Sequence, residues 1–90
     1  MQVTPTRAFL RDLKNISRQD ADAVADALEM FMQDPKAKPL NFEPVKSRRG
    51  YFTIRASYKT RVLLLQQADD AFDVVAVGNH DYIYVSYFKK

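Results

Sequence analysis

The sequence predicts an α+β domain in which an N-terminal helical hairpin packs on a mostly antiparallel sheet of four to five strands. Apolar residues repeat at helical spacing before residue 35 and at strand-like spacing after residue 50. Prolines and a glycine interrupt the chain between these regions, so that the predicted order is β-α-α-β-β-β. A chain of 90 residues can bury one modest core, which predicts a single domain over residues 1–90.

The first 34 residues contain two predicted helices. A short first strand over residues 1–4 leads to a helix capped by Thr4 or Thr6, whose apolar stripe repeats at i, i+4 and i+7. The members of this stripe are Phe9, Leu13 and Ile16. Ser17 and Asp20 have the spacing of a capping box for the second helix, which must end before Pro35. The apolar face of the second helix consists of Ala21, Val24, Ala25, Leu28, Phe31 and Met32.

After a proline-containing loop over residues 35–50, the pattern becomes that of strands. The predicted strands are, in order, residues 51–56, 62–67 and 72–77, and residues 82–88 are a candidate for one more, which would make five strands in the sheet. The second of them is a continuous apolar run without charge, which is typical of a central strand covered on both faces. Asp69-Asp70 supplies the turn that follows it. The last strand is predicted from its high content of aromatic residues.

The composition excludes several classes of protein. Without cysteine, the chain can form neither a disulfide nor a thiolate metal site. The sequence has no P-loop, dinucleotide glycine pattern or metal-ligand spacing, so we expect no cofactor and no metal. No apolar run approaches the roughly 20 residues of a membrane span, and residues 1–12 lack the apolar region of a secretory signal. We therefore expect a cytoplasmic protein without a membrane partner.

Positive charge is concentrated in one stretch of the chain. Residues 46–90 contain eight Lys and Arg against four Asp and Glu, whereas residues 1–45 contain six against seven. Between residues 46 and 61 there are six basic residues and no acidic one: Lys46, Arg48, Arg49, Arg55, Lys59 and Arg61. A local field of this kind favours an anionic partner such as nucleic acid. The alternative is a solvated loop with solvated sheet edges.

An ordered set of short motifs resembles the RelE/ParE toxin superfamily. The motifs are Thr4-Pro5 with Phe9 and Leu13, Leu40-Asn41-Phe42-Glu43, Tyr51 with Arg55, Arg61-Val62, and Val77-Gly78-Asn79-His80-Asp81-Tyr82-Ile83-Tyr84. The likeness extends over nearly the whole chain. It implies the toxin of a type II toxin–antitoxin system, neutralised by a cognate antitoxin protein that wraps it with a helix or a strand.

The resemblance is compatible with two activities. RelE-like members cleave mRNA, usually on the ribosome, whereas ParE-like members inhibit DNA gyrase and lack the RNA-cutting residues. His80 occupies the position where RelE-like enzymes have a catalytic Arg or His, and this favours an mRNA endoribonuclease. An RNA-binding module without toxicity is the third alternative.

RNA cleavage without a metal requires a base for the attacking ribose 2′-hydroxyl, an acid for the leaving oxygen and a cation for the charge on phosphorus. Histidine suits proton transfer near neutral pH, and the arginine fork suits phosphate. The resemblance implies that Arg61, His80 and Tyr84 are the catalytic residues. We expect the surrounding basic residues to bind RNA: Lys46, Arg48, Arg49, Arg55 and Lys59.

Each candidate also has a structural interpretation. His80 could be a surface histidine, Tyr84 a sheet-face aromatic, and the basic residues a means of solvating the sheet edge. In a straight strand, His80 and Tyr84 would stand about 13 Å apart, so they could act on one phosphate only if the chain bends at residues 79–81. Arg55 and Arg61 differ in parity along the chain, but the turn between them leaves open whether they share a face.

Overall fold

The computed structural model describes residues 1–89 and confirms the α+β architecture. Its strands are β1 (Gln2–Pro5), β2 (Glu43–Pro44), β3 (Tyr51–Arg55), β4 (Arg61–Ala68) and β5 (Ala71–Gly78). Its helices are α1 (Arg7–Leu13) and α2 (Arg18–Gln33), followed by a short 3-10 turn at Lys38–Leu40. A helical segment over residues 80–89, here called the C-terminal segment, follows β5.

The five strands form one sheet in the order β1-β5-β4-β3-β2. β1 runs parallel to β5, and every other neighbouring pair is antiparallel. The uncharged run therefore lies in the centre of the sheet, as predicted, within β4. Val62 and Leu64 belong to the core beneath the helices, whereas Leu63 packs on the other side with Ile83 of the C-terminal segment. Both faces of β4 are covered.

The predicted caps begin both helices. The Thr6 hydroxyl accepts a hydrogen bond from the Phe9 amide, and the Ser17 hydroxyl accepts one from the Asp20 amide. Along α2 the buried side chains are Val24, Ala27 and Phe31. The predicted apolar face was wrong at two positions, because the stripe at i, i+3 and i+7 turns Ala25 and Met32 towards solvent. None of the helices within residues 1–89 is long and apolar enough to span a bilayer.

The predicted last strand over residues 82–88 was wrong, because the C-terminal segment is helical. The Asn79 side-chain oxygen accepts a hydrogen bond from the Tyr82 amide at 2.8 Å, and the Asn79 carbonyl accepts one from Ile83 at 3.1 Å. These bonds start a helix. In addition, β5 already has β1 on one side and β4 on the other, so the chain after β5 cannot add a strand beside it. The C-terminal segment covers the outer face of the sheet, which is the face opposite the two long helices. The two-residue strand β2, within the predicted loop, was not expected.

Candidate functional site

Two adjoining clefts lie where the β3–β4 turn approaches the start of the C-terminal segment. The first, here called the main cleft, has a volume of about 650 Å³ and includes Lys46, Arg55, Arg61, His80 and Tyr84 in its lining. The second, here called the turn cleft, has a volume of about 480 Å³ and includes Arg55, Tyr58, Lys59, Arg61 and His80. Arg55, Arg61 and His80 border both clefts and therefore form the ridge between them.

The C-terminal segment brings His80 and Tyr84 together. Asn79 caps the segment, so His80 occupies its first turn and Tyr84 lies four residues later on the same side. Their ring centroids are 4.5 Å apart, with an angle of 37° between the ring planes. The bend at residues 79–81 that their joint action requires is therefore present, as a change from strand to helix.

The remaining polar contacts fix how each ring is presented. The Tyr84 hydroxyl shares a 2.8 Å hydrogen bond with the hydroxyl of Thr53, which is buried on β3. His80 has 69% of its side chain exposed, and its Nδ1 lies 3.6 Å from a carboxylate oxygen of Asp81. Tyr84 is thus held against the sheet, while the imidazole of His80 is open to a ligand in either cleft.

Arg55 and Arg61 lie directly opposite each other on β3 and β4. In this antiparallel register they share one face of the sheet, which is the face of Thr53 and of the C-terminal segment. The sequence alone did not show whether Arg55 and Arg61 share a face. The turn over residues 56–60 places them on the same face. Like charges directly opposite one another destabilise a sheet. Because an anion between the two arginines would offset this repulsion, the pair is suited to bind one.

Arg61 also holds the β3–β4 turn. Its Nη1 donates hydrogen bonds to the carbonyl oxygens of Ser57 at 3.1 Å and Tyr58 at 3.2 Å. All the Arg61 side-chain hydrogen bonds found among residues 1–89 use this one nitrogen. Nε and Nη2 are left to bind a ligand, so Arg61 can fix the turn and grip an anion at the same time.

The other predicted RNA-binding residues divide into two groups. Lys46 lines the main cleft and Lys59 lines the turn cleft. Arg48 instead places its guanidinium 4.9 Å above the ring of Phe88, where it supports the C-terminal segment. Arg49 is exposed and borders neither cleft. The geometry brings Lys46, Arg55, Lys59, Arg61, His80 and Tyr84 into one area and leaves Arg48 and Arg49 outside it.

The position of His80 depends on contacts that the sequence did not predict. The Tyr82 hydroxyl donates to both carboxylate oxygens of Asp12 on α1, and the Val77 amide donates to one of them. A Cβ on Gly78 would lie 2.5 Å from the Tyr82 ring, so only glycine allows this approach without a shift. Burial, followed by the hydrogen bond to Asp12, raises the pKa of Tyr82. One part of this arrangement could have been read from the sequence: Asn79 precedes Tyr82 by three residues, which is the spacing of a helix cap.

One acid lines each cleft beside the cations, Glu43 in the main cleft and Asp81 in the turn cleft. Within residues 1–89, no group of three or more His, Asp or Glu side chains is arranged to hold a metal ion. Arg55, Arg61 and His80 can instead bind a phosphate through guanidinium donors and exchange a proton through the imidazole.

Comparison with solved structures identifies the fold. The YoeB/ParE toxin from Agrobacterium tumefaciens superposes with a TM-score of 0.71 at 18% identity, over 89% of this chain and 99% of that one. YafQ from E. coli superposes with a TM-score of 0.76 at 12% identity, over 92% and 97% of the two chains. RelE in the RelB–RelE antitoxin–toxin complex of Methanococcus jannaschii gives 0.69 at 20% identity, over 94% and 98%.

At the level of sequence alone, no protein-family model matches the chain and no curated protein matches it significantly. The structural matches nevertheless extend over nearly the full length of both partners. The predicted resemblance to the RelE/ParE superfamily is therefore confirmed in the architecture, and this chain has the α+β fold of the RelE-like toxins.

Proposed function

We propose that this protein is the toxin of a type II toxin–antitoxin pair, and that it cleaves mRNA without a metal. The observation that carries the proposal is the contact between the rings of His80 and Tyr84, whose centroids are 4.5 Å apart, in a cleft that Arg55 and Arg61 also line. This arrangement supplies a group for proton transfer and two cations at one place. The toxin fold supports the same interpretation.

The arginine pair would bind the phosphate to be cleaved. Nε and Nη2 of Arg61 form a planar fork that matches two phosphate oxygens, and Arg55 lies across the ladder from it. As the 2′-oxygen attacks, negative charge builds up on the non-bridging oxygens. Guanidinium groups held in place before the reaction stabilise that charge without reorganisation. Arg61 meets this condition because its turn contacts restrict its movement.

The protons would be exchanged by His80 and Tyr84. His80 takes the proton from the 2′-hydroxyl, whose oxygen then bonds to phosphorus as the bond to the 5′-oxygen breaks. When Thr53 donates its hydrogen bond to Tyr84, the phenol keeps its own proton for the leaving 5′-oxygen. The products would be a 2′,3′-cyclic phosphate and a 5′-hydroxyl. The proposed step consumes no water, and no metal takes part in it.

The proposed biological partners are a cognate antitoxin and the translated mRNA on the ribosome. The solved structures with this fold include complexes with an antitoxin, among them RelB–RelE and DinJ–YafQ. Translated RNA and ribosomes would place the protein in the cytoplasm. No observation on this chain favours DNA gyrase as the target.

The test is cleavage of end-labelled mRNA by the purified protein, once on translating ribosomes and once, in the presence of EDTA, on free mRNA without ribosomes. We expect new ends carrying a 5′-hydroxyl and a 2′,3′-cyclic phosphate. His80→Ala should abolish both cleavage and growth arrest, whereas Lys36→Ala, at an exposed position outside both clefts, should retain them. Growth arrest that survives His80→Ala and induces the DNA-damage response would contradict the nuclease and support a gyrase inhibitor.

A further inference from the structure

Tyr58, at the tip of the β3–β4 turn, is unusually exposed. The residue has 90% of its surface accessible, and the next most exposed large apolar residue among residues 1–89 is Leu10, at 47%. No ring contact to Tyr58 occurs among the described residues. Because an aromatic ring gains nothing for folding when it is left in water, packing within the chain does not explain it.

The turn that carries this ring is held rigidly. The amides of Ala56 and Ser57 both donate to the Thr60 carbonyl, at 2.9 and 3.3 Å. Arg61 donates to the carbonyl of Tyr58 itself at 3.2 Å. A tyrosine on a fixed backbone has only two side-chain torsions to order, so a ligand that stacks on it loses little entropy in doing so.

The chemistry around Tyr58 suits a nucleotide. The ring lines the turn cleft with three cations, Arg55, Lys59 and Arg61, and one acid, Asp81. The cleft has a volume of about 480 Å³, which lies within the roughly 300–1,000 Å³ of small-ligand sites. Cations that follow a sugar–phosphate backbone, together with an aromatic face for a base, are the usual elements of single-stranded nucleic acid binding.

Resting on the proposed function, we infer that Tyr58 stacks on the base of a nucleotide next to the cleaved phosphate. The substrate is then a single-stranded RNA that crosses the ridge of Arg55, Arg61 and His80 and occupies both clefts. Arg61 connects the two events, because the same side chain grips the phosphate and fixes the turn under the base. A paired base has both faces covered by its neighbours, so duplex RNA would not use this site.

A protein partner is the competing occupant, since Tyr58 also borders an apolar groove with Ala27, Met30 and Leu40. The charges favour RNA. On the turn-cleft side, Lys59 and Arg61 lie beside the ring, and the ridge continues directly into the main cleft. The groove towards α2 shows no feature that selects a particular protein.

The experiment compares Tyr58→Leu with Tyr58→Phe. The probe is a fluorescein-labelled, single-stranded oligoribonucleotide with methylated 2′-hydroxyls, which cannot be cleaved, and binding is followed by anisotropy. Base–aromatic stacking predicts that Tyr58→Leu weakens binding about five- to hundredfold. Tyr58→Phe should restore most of the loss, because it keeps the ring. Met32→Ala, an exposed apolar residue outside both clefts, is the matched control.

A spectroscopic signal separates stacking from a general loss of affinity. With 2-aminopurine in the oligonucleotide, saturating wild-type protein should quench its fluorescence at one position, and Tyr58→Leu should remove that quenching. Unchanged binding and quenching in Tyr58→Leu would overturn the stacking site and leave the nuclease in place. A wild-type protein that binds no single-stranded RNA and cleaves mRNA neither free nor on translating ribosomes would overturn both. Since the side chain is exposed, the urea midpoint of Tyr58→Leu should equal that of the wild type.

Discussion

The hydroxyl of Tyr82 lies 3.0 Å from each carboxylate oxygen of Asp12 and joins α1 to the segment that carries His80. The Val77 amide, at the end of β5, donates to the same carboxylate at 3.3 Å. One acid therefore connects the first helix, the end of a sheet strand and the start of the C-terminal segment. Because Tyr82 is only two residues from His80, this contact sets where the imidazole stands.

Removal of this acid should loosen the site as well as the fold. In Asp12→Ala, the Val77 amide and the Tyr82 hydroxyl lose a charged acceptor. We expect the free energy of unfolding to fall by about 1–3 kcal/mol. Urea denaturation measures this change. Asp22→Ala, at an exposed position on α2, serves as the control and should shift the midpoint little. Equal midpoints for Asp12→Ala and the wild type would show that the contact is dispensable.

The same contact predicts how stability depends on alkaline pH. Burial, then the hydrogen bond and the charge of Asp12, raise the pKa of Tyr82 above its usual 10.0. The folded protein therefore holds the phenol proton more tightly than the unfolded chain does. The corresponding stability is complete below the unfolded pKa and is lost as the pH rises through the folded one. We expect the urea midpoint of the wild type to fall more steeply above about pH 10 than that of Tyr82→Phe.

Tyr87 also has a raised pKa, caused first by burial and then by Tyr51. It is present in both proteins of this comparison, so the difference between their pH profiles reports Tyr82 together with its charge interaction with Tyr87. Parallel profiles would mean that Tyr82 titrates alike in the folded and unfolded states.

Gly78 should tolerate no side chain while Tyr82 keeps its ring. The added Cβ of Gly78→Ala would stand 2.5 Å from Cδ2 of Tyr82, so the ring and the start of the C-terminal segment must shift. Such overpacking costs about 1–3 kcal/mol. In a Tyr82→Ala background the obstacle is gone, and the same substitution should cost much less. A double-mutant cycle by urea denaturation measures the coupling, and additive effects would contradict the proposed clash.

The sheet and the two long helices were predictable because local patterns and tertiary packing agree there. The run from Val62 to Leu64 is apolar at each position, and β4 is covered on both faces. Ser17 caps α2 as its spacing with Asp20 indicates. To predict that Ala27 is buried and Ala25 is exposed, one must know the direction from which the sheet approaches α2. The sequence of one helix does not contain that direction.

The C-terminal segment was mispredicted because aromatic content outweighed capping. Tyrosine and phenylalanine favour strands, mainly through the way they pack on a half-buried surface. Here Leu63, Val75 and Ala76 present an apolar outer face that needs a cover, and a helix started by Asn79 supplies it. The error matters for function, since a strand would have separated His80 from Tyr84 by about 13 Å. The proximity of these two rings could be derived only from the fold.

The division of the basic residues can be tested by salt dependence. If Lys46 and Lys59 contact phosphates, Lys46→Ala and Lys59→Ala should each reduce the slope of log affinity against log salt by about 0.7 for single-stranded RNA. Arg49→Ala is the matched control, because Arg49 is exposed outside both clefts and should leave the slope nearly unchanged. A slope lowered equally by all three variants would indicate a diffuse basic surface rather than a defined path.

Arg48 should act on stability rather than on RNA binding. Its guanidinium stands over Phe88 of the C-terminal segment at 4.9 Å, and an exposed interaction of this kind is worth about 0.5–1 kcal/mol. Arg48→Ala should therefore lower the urea midpoint slightly and keep the salt slope of the wild type. Arg48→Lys should recover part of the stability, since it keeps a cation near the ring. A reduced salt slope in Arg48→Ala would show that Arg48 binds RNA, as predicted from the sequence.

The hydroxyl of Tyr84 has a structural role and a proposed catalytic role, and two variants can separate them. Tyr84→Phe keeps a ring beside His80 but leaves the buried Thr53 hydroxyl without its partner. We expect a loss of about 1–3 kcal/mol in stability and, if the phenol is the acid for the leaving oxygen, about 10²- to 10⁴-fold in the rate of RNA cleavage. Single-turnover measurements with saturating protein in excess over RNA restrict the comparison to the chemical step.

The double variant Thr53→Val, Tyr84→Phe removes both hydroxyls, and replacing both partners of a hydrogen bond by apolar groups is often nearly neutral for stability. The urea midpoint should therefore return towards that of the wild type while cleavage remains lost. If cleavage recovers together with stability, the Tyr84 hydroxyl only positions the ring, and the proton for the leaving 5′-oxygen must come from elsewhere in the cleft. His80 is then the group to which that second proton transfer would pass.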